Sequence, residues 1–323
     1  MTSASSRPEP GRSAPGSDPA PARLTVGIVS AGRVGSAIGA TLERVGHVVF
    51  GVCAVSDASR RRAHTRLPDS RILPAEQVAA RSELLILAVP DTELPGLVAG
   101  LAAARTVRPG TIVGHTSGAH GITVLEPLTE LGARPLAIHP AMTFTGHDED
   151  LARLGNACFG ITAADEVGYA IAQSLVIEMG GEPVRVPEQH RTLYHAALAH
   201  GSNHLVTLIV DAVAALREAL EGRGLLGQQA VDEQPNGLAE RMLAPLASAA
   251  LDNALRRGSA ALTGPVARGD AGAVAAHLEA LDAVDSRLAA GYRGLSLRTA
   301  ERAGADTALI DLLNKEPGGS HGE

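Results

Sequence analysis

The stretch Leu24-Thr25-Val26-Gly27-Ile28-Val29-Ser30-Ala31-Gly32-Arg33-Val34-Gly35 decides the fold. Its first six residues form a short apolar, β-branched run, as expected of a strand buried on both faces. A tight turn through Ser30, Ala31 and Gly32 follows, and helical periodicity then runs to about residue 45. Gly46 suits the C-cap of that helix. A second apolar run covers 47–52, and further strand candidates lie at 84–89, 111–115, 134–139 and 157–162. Helical stretches near 58–66, 94–104 and 122–131 lie between them. This alternation predicts a doubly wound α/β domain, a parallel sheet with helices on both faces.

After 162 the alternation fades. One more short strand is expected at 182–186, and long Ala/Leu-rich helical segments follow at 188–221, 236–257, 271–302 and 306–313. A Gly- and Gln-rich loop at 222–235 separates the first two. The chain therefore divides into a disordered tail (1–22), an α/β domain (23–162), an all-α domain (163–315) and a second disordered tail (316–323). The 1–22 segment is rich in Pro, Ser, Gly and Ala and lacks the apolar middle of a signal peptide.

Composition narrows the function. The formal charge of −7 and the six aromatic residues, Phe50, Phe144, Phe159, Tyr169, Tyr194 and Tyr292, argue against a nucleic-acid partner. No apolar run reaches the roughly 18 residues of a membrane span. Cys53 and Cys158 form no CxxC pair and read as two buried thiols of a reducing, cytoplasmic compartment. Lys315 is the single lysine among 28 basic residues, so a core lysine acid or Schiff base is excluded.

The turn after the first strand carries the clearest chemistry. In a βαβ unit of the Rossmann type such a turn lets backbone N–H groups approach a pyrophosphate seated on the helix N-terminus. Gly32 allows the approach, Gly35 lets helix and strand pack, and Arg33 and Val34 open the helix. Ser30 stands where the G-x-G-x-x-G pattern has its first glycine; it can make the turn with ordinary dihedrals and add a hydroxyl donor. At the end of the second strand an acid reads a ribose 2′-OH, whereas Ser and Arg receive a 2′-phosphate. Asp57 lies past the strand and reads as the cap of the next helix. Ser56, Arg60 and Arg61 therefore favour NADP, with a solvated helix face as the alternative for the arginines. Val89 and Pro90, Thr116 and Ser117, and His139 lie at three successive strand ends and complete the expected cofactor crevice. A structural role is the alternative for His139 and for His115.

Several further blocks accompany the turn: Ala88-Val89-Pro90-Asp91, His115-Thr116-Ser117-Gly118-Ala119, and His139-Pro140 through Phe144. Downstream stand Tyr194-His195-Ala196-Ala197 with Ser202-Asn203, and Leu262-Thr263-Gly264-Pro265 with Arg268-Gly269-Asp270. Together, over roughly 24–313, they resemble the family that pairs a Rossmann-like domain with a C-terminal domain of unknown function. That family is similar to deazaflavin-dependent NADP oxidoreductases and pyrroline-5-carboxylate reductases, and some members act as an alternative type of ketopantoate reductase. The resemblance implies a 6-phosphogluconate dehydrogenase-like architecture, with a helical domain for substrate and homodimer contacts. It also implies an NADPH-dependent oxidoreductase, with a place in pantothenate biosynthesis if ketopantoate is the substrate.

In the related dehydrogenases the first interdomain helix presents a lysine and then an asparagine to the nicotinamide. Here that stretch holds His195 and, eight residues on, Asn203, with Ser202 nearly under His195 because seven residues make almost two turns. Reducing a ketone needs a proton donor at the oxygen that receives charge. His195 is the candidate acid, Asn203 the polarising group and Ser202 an orienting one; Ala199 stands where a polar residue would complete the set. A packing role is the alternative for His195. His200 and His204 have metal-ligand spacing but lack the glutamate of an H-E-x-x-H site, so no metal is expected. Arg268 and Asp270 pair with each other or bind a substrate carboxylate; alternatively, Asp270 caps the helix from Ala271. The expected reaction is reduction of a small 2-oxo acid, ketopantoate first. A cyclic-imine reductase and a non-catalytic NADP sensor are the alternatives.

Overall fold

Strand β1 (Thr25–Val29) has four buried residues out of five. It lies inside an eight-stranded sheet in a computed structural model that describes residues 23–221 and 237–315. From it the chain runs through α1 (Arg33–Arg44), β2 (Val48–Cys53), α2 (Asp57–Arg66), β3 (Arg71–Ile72), α3 (Ala75–Arg81), β4 (Leu84–Leu87) and α4 (Leu94–Ala103). Then come β5 (Ile112–His115), a 3₁₀ turn (Ile122–Leu125) with α5 (Glu126–Thr129), β6 (Arg134–Pro140), α6 (Glu149–Leu154), β7 (Cys158–Ala163), α7 (Glu166–Glu178) and β8 (Glu182–Arg185). The strand order is β3-β2-β1-β4-β5-β6-β7-β8. Every pairing is parallel except β6 with β7. The order reverses between β1 and β4, and at such a switch point an open α/β sheet leaves a crevice at its carboxyl edge.

Period-two alternation builds two cores from the same strands. Val26, Ile28, Leu84, Ile86, Leu136 and Ile138 face one side with Ile38 and Leu42 of α1 and Leu175 and Val176 of α7. Val29, Leu85, Leu87 and Val113 face the other with Val78 of α3 and Val98 and Leu101 of α4. Each of these fully buried side chains contributes roughly 1.5–3 kcal/mol relative to exposure.

The chain divides into two compact units between Leu198 and Ala199, within α8 (Arg191–Glu221), and a 3₁₀ turn at Glu188–His190 precedes that helix. The alternation thus continues through α7 and β8, well past 162. The second unit holds the rest of α8, then α9 (Leu238–Arg257), α10 (Gly264–Ala267), α11 (Ala271–Val284), α12 (Ser286–Ala303) and α13 (Thr307–Asn314). Its core joins Val266, Val274, Leu278, Ala300, Leu309 and Leu313.

Several expectations need correction. The helix expected at 122–131 is a 3₁₀ turn followed by a single α turn. Pro127, in the first turn of α5, lacks an N–H and crowds the carbonyl four residues back. The helix expected at 271–302 is two helices. Asp285 leaves the helical region (φ −158°, ψ 122°) and its carboxylate accepts from the Arg287 N–H, starting α12. Cys158 is not buried: it is exposed as the first residue of β7, while Cys53 is half-buried. The expected tails at 1–22 and 316–323 and the loop at 222–235 lie outside the described residues. Among the described residues no helix is long and apolar enough to cross a membrane.

Candidate active site

The turn between β1 and α1 is tied to the neighbouring strand, because the N–H groups of Ser30 and Ala31 donate to the Cys53 carbonyl at 3.1 and 2.9 Å. Ser30 has φ +81°, not the ordinary dihedrals expected of it. It adopts the conformation for which the motif normally supplies glycine, at a cost on the order of 1–2 kcal/mol. A Cβ on Gly35 would stand 2.1 Å from the Ser30 carbonyl oxygen, so glycine is obligatory there. Gly32 differs. A Cβ on it would meet only the Ser30 hydroxyl, at 3.4 Å. Gly32 is also the N-cap of α1 without a capping side chain, and the first turn has no acid. The leading amides, with those of Arg33 and Val34, are therefore left to an outside acceptor. These features fit a dinucleotide pyrophosphate, which needs bare backbone and a positive helix end.

At the end of β2 the cap of α2 is Ser56, whose hydroxyl accepts from the Ser59 N–H at 3.1 Å, and not Asp57 as expected. Ser56 is in extended backbone, where its oxygen reaches the third amide, whereas Asp57 is already helical. Asp57 faces solvent and lies 3.6 Å from Arg60. Arg61 is exposed and has no carboxylate partner among the described residues.

The next strand ends differ in kind. Val89 packs partly buried against one core and Pro90 is exposed. His115 is fully buried. Its Nδ1 accepts from the Ser117 N–H at 3.2 Å and its Nε2 bonds the Gly121 carbonyl at 2.8 Å. Burial above all lowers its pKa to about 4. It is a neutral pin for the loop after β5. Ser117 belongs to the same pin: it is buried and its hydroxyl accepts from the His120 N–H at 3.0 Å. Thr116 is half-buried, and its N–H donates to Leu87 at 3.2 Å.

His139, Tyr194 and His195 converge at the end of β6. His139 Nδ1 lies 2.9 Å from the Tyr194 hydroxyl. The His139 and His195 rings meet edge to face, their centroids 6.1 Å apart. A Cβ on Gly118 would come within 2.6 Å of His195 and 2.9 Å of His139 Nε2, so both rings close on that glycine. Burial first, then the nearby Arg191 and His195, lower the His139 pKa to about 4. Burial raises that of Tyr194, against the opposing Arg191 charge and a Gly160 backbone hydrogen bond. Arg191 itself is buried, donating through Nε to the His120 carbonyl (3.0 Å) and through Nη1 to the Gly160 carbonyl (3.3 Å). Sequence reasoning missed Arg191; its one available signal was the three-residue spacing to Tyr194, which puts both on one helix face.

Residues 10–140 match the Rossmann-like domain family, and residues 157–299 match a domain of unknown function, DUF2520. The chain belongs to the Rossmann-like proteins that carry a DUF2520 domain. No curated protein matches it. Among solved structures it is similar to a Bacteroides fragilis protein designated an NADP oxidoreductase, at 19% identity and a TM-score of 0.69, covering 86% of this chain and 98% of that one. It is also similar to a reductive aminase of Aspergillus terreus in complex with NADPH and ethyl-5-oxohexanoate, at 19% identity and a TM-score of 0.61, covering 90% and 99%. A third is an imine reductase variant of Myxococcus stipitatus in complex with NAD+, at 15% identity and a TM-score of 0.55, covering 91% and 100%. At these identities the likeness establishes the fold.

In this Rossmann-like/DUF2520 chain the family boundary at 157 precedes the division of the compact units, because β7, α7 and β8 complete the sheet. Ser202 and Asn203 lie on α8, seven and eight residues beyond His195, in the second unit; Ser202 is half-buried and Asn203 exposed. His200 and His204 bond each other through their Nδ1 atoms at 2.6 Å. Among the described residues no group of three or more His, Cys, Asp or Glu is placed to hold a metal. Asp270 caps α11 by accepting from the Ala273 N–H at 3.0 Å, while Arg268 is exposed.

Proposed function

We propose that the protein is an NADPH-dependent reductase of a C=O or C=N bond. The observation that carries this reading is the bare helix end at Gly32, where a Cβ would meet only the Ser30 hydroxyl. Gly32, Arg33 and Val34 would hold the pyrophosphate by backbone amides, with Gly35 keeping helix and strand close. Arg61, unpaired among the described residues, would take the 2′-phosphate beside Arg60. A reduced nicotinamide held there supplies a hydride. His195 then gives the proton that the reduced oxygen or nitrogen needs. Asn203 polarises the acceptor bond and Ser202 orients it.

A small 2-oxo acid is the first substrate class, with ketopantoate the leading candidate, which would place the enzyme in pantothenate biosynthesis. A cyclic imine is the second reading, favoured by the similarity to a reductive aminase and an imine reductase. The test is NADPH oxidation against a panel of 2-oxo acids and cyclic imines. Turnover of ketopantoate alone supports the first reading and turnover of imines alone the second. Tight NADPH binding with no turnover of either class points to a redox-sensing protein instead.

A further inference from the structure

Tyr194 and Arg191 impose more order on His139 than a cofactor contact requires. Its Nδ1 is bonded to the Tyr194 hydroxyl at 2.9 Å. Burial raises the phenol's pKa and keeps it protonated. A protonated phenol can donate to Nδ1, and an imidazole that accepts at Nδ1 carries its own proton on Nε2. Arg191 fixes the surroundings: its side chain joins the His120 carbonyl, in the loop after β5, to the Gly160 carbonyl on β7. Gly160 is the residue paired with His139 across the antiparallel β6–β7 ladder. The remaining edge of the ring is the functional one. Nε2 points to Gly118, within 2.9 Å of where a Cβ would stand, and the His195 ring closes on the same spot from the helix side. With no side chain at Gly118 both rings lie close over its backbone, and His139, half-buried, keeps part of its ring open to solvent.

We propose that His139 is a catalytic hydrogen-bond donor, its Nε2–H holding the substrate's carbonyl oxygen or imine nitrogen beside His195. Tyr194 and Arg191 are positioning residues that set its tautomer and its place. This assignment rests on the reductase reading. As hydride reaches the carbon, the π electron pair of the C=O or C=N bond moves to the heteroatom. The proton that completes the product comes from His195, which solvent reprotonates. His139 transfers no proton; it stabilises the charge that develops. A neutral imidazole suits this task, because its N–H stays in place through the cycle.

The test has two arms. In ¹⁵N-histidine-labelled protein without any ligand, long-range ¹⁵N–¹H correlation reads the tautomer directly. The expected result is a protonated Nε2 and an acceptor Nδ1 for His139, with the signal assigned through His139→Gln. Tyr194→Phe should turn this into a mixture of tautomers. In kinetics with a turned-over substrate of the panel, His139→Gln should lower kcat roughly 10²-fold, the scale of one lost oxyanion donor, while NADPH Kd changes less than about twofold. Tyr194→Phe should lower kcat about tenfold, again without loosening NADPH. An Nδ1–H tautomer in the wild-type protein overturns the proposal. So does a His139→Gln variant whose NADPH Kd weakens while kcat survives, since His139 would then be a cofactor contact. The tautomer measurement needs no substrate, so a failure of the reductase reading is seen separately.

Discussion

The carbonyl oxygen of Ser30 stands 2.1 Å from the point a Cβ on Gly35 would occupy. Strand and helix can approach this closely only over a bare backbone, and the approach sets where the helix amides point. Gly35→Ala must move the turn or the helix. It is expected to cost roughly 1–3 kcal/mol of stability, the range for overpacking a tight site. Gly32→Ala should behave in the opposite way. Its φ of −69° suits any residue and no backbone atom lies in the way, so melting should hardly change. NADPH should nevertheless bind about tenfold more weakly or worse, a loss of about 1.4 kcal/mol. Melting curves and fluorescence titrations on both variants check the contrast. Equal loss of stability in the two would contradict it.

The proposed preference for NADPH rests on Arg61. NADPH should bind at least about tenfold more tightly than NADH, as a charge-assisted bond to the 2′-phosphate implies. Arg61→Ala should remove most of that preference and leave NADH affinity unchanged. Fluorescence titration of both cofactors decides it. Equal affinities in the wild-type protein would mean that Asp57 reads the ribose.

How much of this was legible in the sequence varies with the kind of interaction. The β1 turn, the strand ends and the apolar runs are local, so periodicity exposes them. The strand β8 was anticipated, but the helix α7 before it was not, because Gly168 and Tyr169 blur its apolar face. Ser30 shows a sharper limit. Its φ of +81° is imposed by the two amide bonds to Cys53 on the neighbouring strand, which no local pattern records. The pairing of His139 with Tyr194 likewise joins residues 55 positions apart, and Arg191 offered only its three-residue spacing to Tyr194 until the fold buried it. Asp57 and Ser56 exchanged roles for a smaller reason, a helix start one residue earlier than the one read from periodicity.

The two neutral histidines give the protein a definite response to acid. His115 and His139 have pKa values lowered to about 4, below the unfolded value of about 6.5. Between these limits the unfolded chain binds protons that the folded chain does not. The stability they confer is complete above about pH 6.5 and is lost as pH falls towards 4. For the fully buried His115 the loss at the low end is on the order of 3 kcal/mol. The melting temperature should fall steadily from pH 7 to pH 4.5, and the ring signals of both residues should not titrate near pH 6.5. Either ring titrating there would refute the assignment.

Assembly is a further expectation. Along α8 and α9 many apolar side chains face solvent, among them Val206, Leu220, Met242, Leu246 and Leu255. A subunit interface would cover exposed apolar side chains of this kind. The chain is expected to form a homodimer through its helical unit. Light scattering should return about twice the 33.0 kDa of one chain at micromolar concentration. A mass of one chain across that range would exclude the dimer, and Leu246→Glu with Leu255→Glu should produce that mass if the surface is the right one.

His195 is the proposed proton donor and so offers the sharpest test of the reductase reading. If it donates the proton, His195→Asn should lower kcat by roughly 10²-fold or more, the usual scale for general acid catalysis. NADPH affinity should hardly change, because in the proposed reading the pyrophosphate and the 2′-phosphate are held by Gly32, Gly35 and Arg61 and not by His195. Asn203→Ala should cost less, about 10-fold to 10²-fold, as for one lost polarising hydrogen bond. A packing role predicts the reverse. His195 lies against Gly118 and His139, so losing a ring that only fills space there would lower the melting temperature and leave turnover per folded molecule intact. Measuring kcat and melting on one preparation separates the two. A folded His195→Asn protein with near-normal kcat would remove His195 from the mechanism while leaving the dinucleotide site, which stands on Gly32 and Gly35, untouched.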